Sequence, residues 1–216
     1  MDLYFAPLAC SMATRIAFYE ANAPARFIHV RTKAGKVEDG TDFVAINPLG
    51  QVPVLRTDDG ELLTENGAIL QYVAEHLPGA ALAPSGGMAR ARLQEWLSFI
   101  GTELHKATYV VLLDPKAPDA TKAAARDKLA VRLAVLDKHL TGRDYLLDRF
   151  SVADAYLTTV LNWSVPTRVS LADYPALKAY HQRMLSRPSI ARAVAEERTL
   201  FFVERPTVTM PEFDQA

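Results

Sequence analysis

Two short apolar runs, Val52-Pro53-Val54-Leu55 and Glu61-Leu62-Leu63-Thr64, flank Asp58-Asp59-Gly60, and this arrangement narrows the available folds more than any other stretch of the chain. Asp-Gly between β-prone runs signals a hairpin, because glycine supplies the positive φ that a tight turn requires. Pro53 has no N–H to give to a ladder, so it belongs at a strand start or on an edge. A cis Val52–Pro53 bond would present the Val52 backbone N–H and C=O to a peptide-like ligand. A trans edge proline is the alternative, and spacing alone leaves both open.

The segments around this hairpin extend the pattern. Leu3-Tyr4-Phe5 is a short strand stopped at Pro7, and Ser11 to Asn22 places Met12, Ile16 and Tyr19 at helical spacing. Phe27 to Val30 predicts a second strand, Thr32 to Gly40 a polar loop, and Thr41 to Ile46 a short helix. Asn66 to His76 predicts a helix with Ile69, Leu70, Val73 and Leu77 on one face. The order βαβαββα is that of a thioredoxin-like domain, here spanning residues 1–78. Chain breakers ending in Pro84-Ser85-Gly86-Gly87 mark a linker over 79–87. Residues 88–204 then read as an all-helical domain, with Leu129, Leu133 and Leu136 in helical register and Pro166, Pro175 and Pro188 dividing the later helices. Residues 205–216 read as an irregular tail. The fold class is therefore α/β plus all-α.

A chain of 216 residues suits two modest domains. Its formal net charge of -1 argues against a nucleic-acid partner, since phosphate binding needs a clear excess of Lys and Arg on one face. A small molecule or a protein is the expected partner. The N-terminus lacks the basic and apolar regions of a secretory signal, and no apolar run approaches the roughly 20 residues that span a bilayer, so a cytoplasmic location without membrane association is expected. One cysteine excludes an intramolecular disulfide and fits a reducing compartment. No metal site is expected.

Several side chains are placed for chemistry. Cys10 lies between a strand and a helix, where the helix N-terminus favours a thiolate; a small buried hydrophobe is the equally available reading. Ser11 is either a hydroxyl donor to a ligand thiolate or a helix cap. Thr64-Glu65-Asn66 opens a helix, where a carboxylate could hold an ammonium and backbone N–H groups a carboxylate, with simple capping as the alternative. Lys33, Lys36 and Gln51 are available to a ligand carboxylate. His105 and Tyr109 share a helix face that, with Lys106, could line a pocket, and Trp163 is either core or ligand platform. Ser151-Val152-Ala153-Asp154 has the spacing of a structural capping box.

Taken together, the stretches Asn47-Pro48-Leu49-Gly50-Gln51-Val52-Pro53-Val54-Leu55, Leu63-Thr64-Glu65-Asn66-Gly67-Ala68-Ile69-Leu70 and Phe150-Ser151-Val152-Ala153-Asp154-Ala155-Tyr156 resemble the cytosolic glutathione S-transferase family over residues 1–200. Ala9-Cys10-Ser11, His105-Lys106 and Trp163 are similar to its bacterial Beta class. The resemblance implies that Cys10 lies at the glutathione sulfur, with His105 nearby from the second domain, and that Pro53 is cis with Val52 pairing to the cysteinyl backbone. It implies further that Glu65 and Asn66 hold the γ-glutamyl end and that Lys33 or Lys36 holds the glycyl carboxylate. Ser98 and Glu103 are expected to reach glutathione on the other subunit of a homodimer. Asn66 departs from the family's usual serine.

The implied activity is conjugation of glutathione, a co-substrate and not a cofactor, to a small apolar electrophile in a detoxifying role. Thiol-disulfide exchange or peroxide reduction through Cys10 is the enzymatic alternative, and with no second cysteine its resolution needs another glutathione. A non-catalytic ligand-binding protein of the same fold is the third possibility.

Overall fold

The computed structural model describes residues 1–77 and 79–206. Pro78 and residues 207–216, which make up most of the expected tail, lie outside the described residues. The chain divides into two compact units, the first comprising Met1–Ala83 with the last helix, the second Pro84–Arg187.

The first unit is built on the strands β1 (Asp2–Phe5), β2 (Arg26–Arg31), β3 (Lys36–Val37), β4 (Val54–Arg56) and β5 (Leu62–Thr64), lying side by side in the order β3-β2-β1-β4-β5. β1 and β2 are parallel, with Tyr4 opposite Ile28, while β4 runs antiparallel to β1 and β5 antiparallel to β4. The central β1 is covered on both faces, which is why Leu3, Tyr4 and Phe5 are all buried instead of alternating. One face packs Tyr4, Ile28, Val30, Val37, Phe43 and Val54. On the other, Phe5 and Phe18 each meet the Phe27 ring edge-on; Phe18 belongs to α1 (Met12–Glu20).

The sequence places a loop across Thr32 to Gly40, whereas Lys36 and Val37 form β3, antiparallel to β2. Two residues are too few for any alternating pattern to be read. The expected helix at Thr41 to Ile46 is a single 3-10 turn, Phe43–Ala45. The hairpin turns as expected: Gly60 has φ +89°, its N–H donates to Thr57 O at 3.1 Å, and the Thr57 hydroxyl donates to Asp59. α2 (Asn66–His76) follows, burying Ile69, Leu70 and Val73.

In the second unit helix runs unbroken through α3 (Gly87–Phe99), a π-helical stretch (Ile100–Tyr109) and α4 (Val110–Leu113). α5 (Asp119–Leu140) buries Leu129, Leu133, Leu136 and Leu140, one stripe along the helix. α6 (Val152–Leu161), α7 (Ser164–Thr167) and α8 (Pro175–Leu185) complete the unit. At the start of α6 the Ser151 hydroxyl accepts from Ala153 N–H at 3.3 Å, and Asp154 accepts from Ser151 N–H at 2.9 Å. The Asp154 carboxylate also accepts from Leu146 N–H at 2.9 Å and the Tyr180 hydroxyl at 3.0 Å, so the box is a buried junction as well as a cap.

The last helix, α9 (Pro188–Glu204), corrects the sequence division. Its helical pattern groups it with residues 88–204, yet it packs against α1 and belongs to the first unit. The reason is in its side chains: Glu196 accepts from the Tyr19 hydroxyl at 2.5 Å and Glu197 pairs with Arg15, both partners lying on α1. Periodicity reports that a helix has a buried face and says nothing about what covers it.

Candidate active site

Strand direction gathers the first set of residues. The carboxyl ends of β1 and β2, the start of β4 and the end of β5 all lie at one end of the sheet, since Phe5 faces His29, Tyr4 faces Val54 and Val54 faces Thr64. The segments carrying Cys10, Lys33, Val52 and Glu65-Asn66 therefore emerge together. Distances in sequence that no local pattern connects are closed by register.

Cys10 precedes α1, is 8% exposed, and donates its thiol hydrogen to the Val52 carbonyl at 3.5 Å. The Val52–Pro53 bond is cis. The sulfur thus sits at the positive end of a helix dipole, which stabilises negative charge on sulfur. Ser11 is a correction. It is fully buried and its hydroxyl turns back to bond both the carbonyl and the N–H of Ala6 at 3.3 Å, so it closes the loop and offers nothing to a ligand thiolate. Nor does its side chain cap the helix.

Glu65 is exposed and holds φ +67° at the start of α2, a conformation that non-glycine residues adopt at a cost and that clusters at functional positions. Beside it Asn66 is 6% exposed; its carbonyl accepts from the Thr14 hydroxyl at 3.4 Å, while its Nδ2 is a buried donor without a partner. A buried unsatisfied donor at a helix N-terminus suits an anionic or carbonyl oxygen. Lys36 is engaged at 2.6 Å by Asp42. Lys33 is exposed in the loop after β2, in a groove it shares with Arg31 and Arg205. Gln51 is exposed, and its carbonyl accepts from Asn47 Nδ2 at 2.7 Å.

The second unit assembles its own cluster. His105 is buried, its Nδ1 lies 2.7 Å from the Tyr156 hydroxyl, and its ring packs 4.9 Å from that of Trp163. Burial, together with the charge of Lys106, pushes the imidazole pKa down to about 4, so His105 is neutral near pH 7. Tyr109 also meets Trp163, but it is fully buried with its hydroxyl 2.6 Å from Ser164 Oγ. Burial raises the phenol pKa well above its ordinary value. Tyr109 is core and is no wall of an open pocket; Trp163 is buried as well, and of the three expected pocket residues Lys106 alone is exposed. Ser98 is exposed on α3, and Glu103 accepts from Arg132 at 2.6 Å. Tyr156 escaped the sequence reading because it sits inside a stretch explained by capping and apolar burial.

No group of three or more His, Cys, Asp or Glu side chains among the described residues is placed to hold a metal. Among those residues no helix is long and apolar enough to cross a membrane.

A thioredoxin-like sheet with a cysteine at the first helix and a cis proline facing it, continued into a helical unit, defines a thiol-handling protein of two-unit design. Residues 1–75 match the family model for the glutathione S-transferase N-terminal domain and residues 99–188 that for the C-terminal domain. Glutathione S-transferase GstA of Escherichia coli O157:H7 is 38% identical over 199 residues, covering 91% of this chain and 98% of the relative. A sphingomonad glutathione S-transferase solved with glutathione superposes with TM-score 0.88 at 44% identity, covering 92% of this chain and 99% of that one. A bacterial beta class glutathione S-transferase of Sphingomonas chungbukensis gives 0.87 at 43% identity, with coverages of 91% and 98%. The chain belongs to the glutathione S-transferase family.

Proposed function

We propose that this protein is a glutathione transferase that conjugates glutathione to small apolar electrophiles, with Cys10 at the glutathione sulfur. The observation that carries this reading is the Cys10 thiol on the Val52 carbonyl, 3.5 Å away, at the end of the sheet where the segments carrying Lys33 and Glu65-Asn66 also emerge. Glutathione is an extended peptide with an anionic group at each end and a thiol in the middle. Val52 offers backbone groups for strand-like pairing to the cysteinyl unit. The orphaned Asn66 amide and Glu65 take the γ-glutamyl end, and Lys33 takes the glycyl carboxylate, since of the two loop lysines Lys36 is held by Asp42 among the described residues.

Binding there lowers the pKa of the glutathione thiol through hydrogen bonds and the α1 dipole, and the proton leaves to solvent. The thiolate then attacks the electrophilic carbon, and the leaving group departs with its bonding electrons. His105, neutral near pH 7, contributes hydrogen bonding and no positive charge. Lys106 and Trp163 of the second unit are assigned to the electrophile. A homodimer in which Ser98 and Glu103 reach the other subunit's glutathione, a cytoplasmic location and detoxification in a bacterium belong to the same proposal, supported by the bacterial relatives.

A second reading has its own support. Cys10, the chain's single cysteine, is 8% exposed at a helix N-terminus, a setting suited to attack on a disulfide. Its thiolate would attack the glutathionyl sulfur of a small mixed disulfide and expel the other half as a thiolate, and a second glutathione would then release Cys10 with glutathione disulfide as the product. Turnover of an aromatic halide and of a small mixed disulfide, each with glutathione, tests both. Conjugation of the halide supports the first reading; glutathione binding without turnover of either substrate overturns both in favour of a binding protein.

A further inference from the structure

The loop from Ala6 to Ser11 is anchored at three points. Ser11 bonds Ala6, Cys10 bonds Val52, and the Leu8 N–H donates at 2.7 Å to Glu197 Oε2, a residue from α9 that lies 189 positions along the chain. Leu8 is a non-glycine residue with φ +59°, a conformation that persists only where its surroundings hold it. Glu197 is itself fully buried and takes its charge partner from α1: Arg15 Nη1 lies 3.4 Å from Oε1. The Arg15 guanidinium lies over the rings of Phe5 and Phe27, at 4.3 and 4.2 Å from their centroids.

A buried ion pair is a poor device for stability, because desolvation of both charges consumes most of the attraction. The buried Arg15 on α1 would be served as an ion-pair partner by any nearby carboxylate, and Glu196 already lies 4.0 Å from it. What only an acceptor can do is hold the Leu8 peptide. Burial pushes the Glu197 pKa up to about 8, against the pull of Arg15 and of the Leu8 N–H. Protonation leaves the bond to Leu8 intact, since a carboxylic acid keeps an acceptor oxygen.

We infer that Glu197 is a positioning residue for Cys10: by accepting from Leu8 N–H it holds the positive-φ turn that sets the thiol against Val52. Arg15 orients Glu197, and the arrangement makes the last helix part of the thiol centre. The inference rests on Cys10 being that centre, so its test reads the thiol directly.

Cys10 is the chain's single cysteine, so its alkylation by iodoacetamide is an unambiguous signal. Glu197→Gln and Glu197→Leu both take the nearer carboxylate from Arg15, leaving it Glu196 at 4.0 Å, and both lower the melting temperature. They differ in one respect, since the glutamine oxygen can still accept from Leu8 and leucine cannot. The expected result is a Cys10 alkylation rate about fivefold or more above the parent in Glu197→Leu and within about twofold of it in Glu197→Gln, the factor a lost hydrogen bond implies. Equal rates in the two variants, or no rise in Glu197→Leu, overturn the inference. Should either variant fail to fold, amide hydrogen exchange in the parent decides. A Leu8 amide as protected as the β1 amides supports the role, and one exchanging as fast as the exposed Lys33 loop refutes it. Alkylation requires no glutathione, so a parent protein that fails to turn over glutathione refutes the proposed function without touching this result.

Discussion

The Cys10 thiol and the Val52 carbonyl meet at 3.5 Å across 42 positions of sequence, joining the loop after β1 to the residue that precedes the cis proline. Neither segment implies the other. The antiparallel pairing of β1 with β4, with Tyr4 opposite Val54, brings them together.

Replacing Cys10 by alanine separates the two chemistries. Conjugation of an aromatic halide is expected to persist within about tenfold of the parent, since the helix dipole and the Val52 backbone remain, whereas disulfide exchange through the cysteine is abolished. Loss of both in parallel steady-state assays would make Cys10 indispensable to conjugation.

Ser11→Ala is expected to cost about 1 to 2 kcal/mol of stability in urea unfolding, because it removes a hydrogen bond from the buried Ala6 N–H and leaves the Ala6 carbonyl with Ala9 N–H alone. With the hydroxyl turned into the loop, kcat for conjugation should change by less than about threefold once glutathione is saturating. A large fall in kcat with unchanged stability would restore the hydroxyl as a thiolate donor.

The two lysines should behave differently. Lys33→Ala is expected to raise the KM for glutathione about tenfold, the size of one charge-assisted hydrogen bond, with kcat little changed. Lys36, held at 2.6 Å by Asp42, should give less than about a threefold rise when replaced by alanine. The reverse order would assign the glycyl carboxylate to Lys36.

Stability should fall in mild acid, and histidines are part of the cause. Burial pushes the pKa values of His105 and His181 each down to about 4, while an unfolded histidine takes up its proton near 6.5. Between those values the unfolded chain binds more protons than the folded one, so the contribution is present above pH 6.5 and lost as pH falls towards 4. Glu197, pushed up to about 8 from 4.5, acts in the opposite sense between those two values, so a comparison by difference is needed. His181→Gln should make the dependence of unfolding free energy on pH shallower by up to about 1.4 kcal/mol per pH unit between 6.5 and 4. Parallel curves for parent and variant would show that His181 titrates normally in the fold.

Much of this protein is legible in its amino-acid sequence. The Asp58-Asp59-Gly60 hairpin, the helical stripes of α2 and α5, and the Ser151 capping box rest on interactions within a few residues, and local chemistry determines them. That the motifs around Cys10, Pro53 and Glu65 belong to one site followed from their resemblance to the glutathione S-transferase family, because taken singly each also suits a plain structural role. Tertiary structure decided the rest. Whether Ser11 faces a ligand or Ala6, and whether Tyr109 lines a pocket or bonds Ser164, depends on which way a side chain turns in a packed interior, and both residue types suit either answer. The allegiance of α9 to the first unit depends on Glu197 meeting Leu8 and Arg15 from the far end of the chain. A buried carboxylate is stable only where its partners are, and those partners are fixed by packing over distances that no spacing in the sequence encodes.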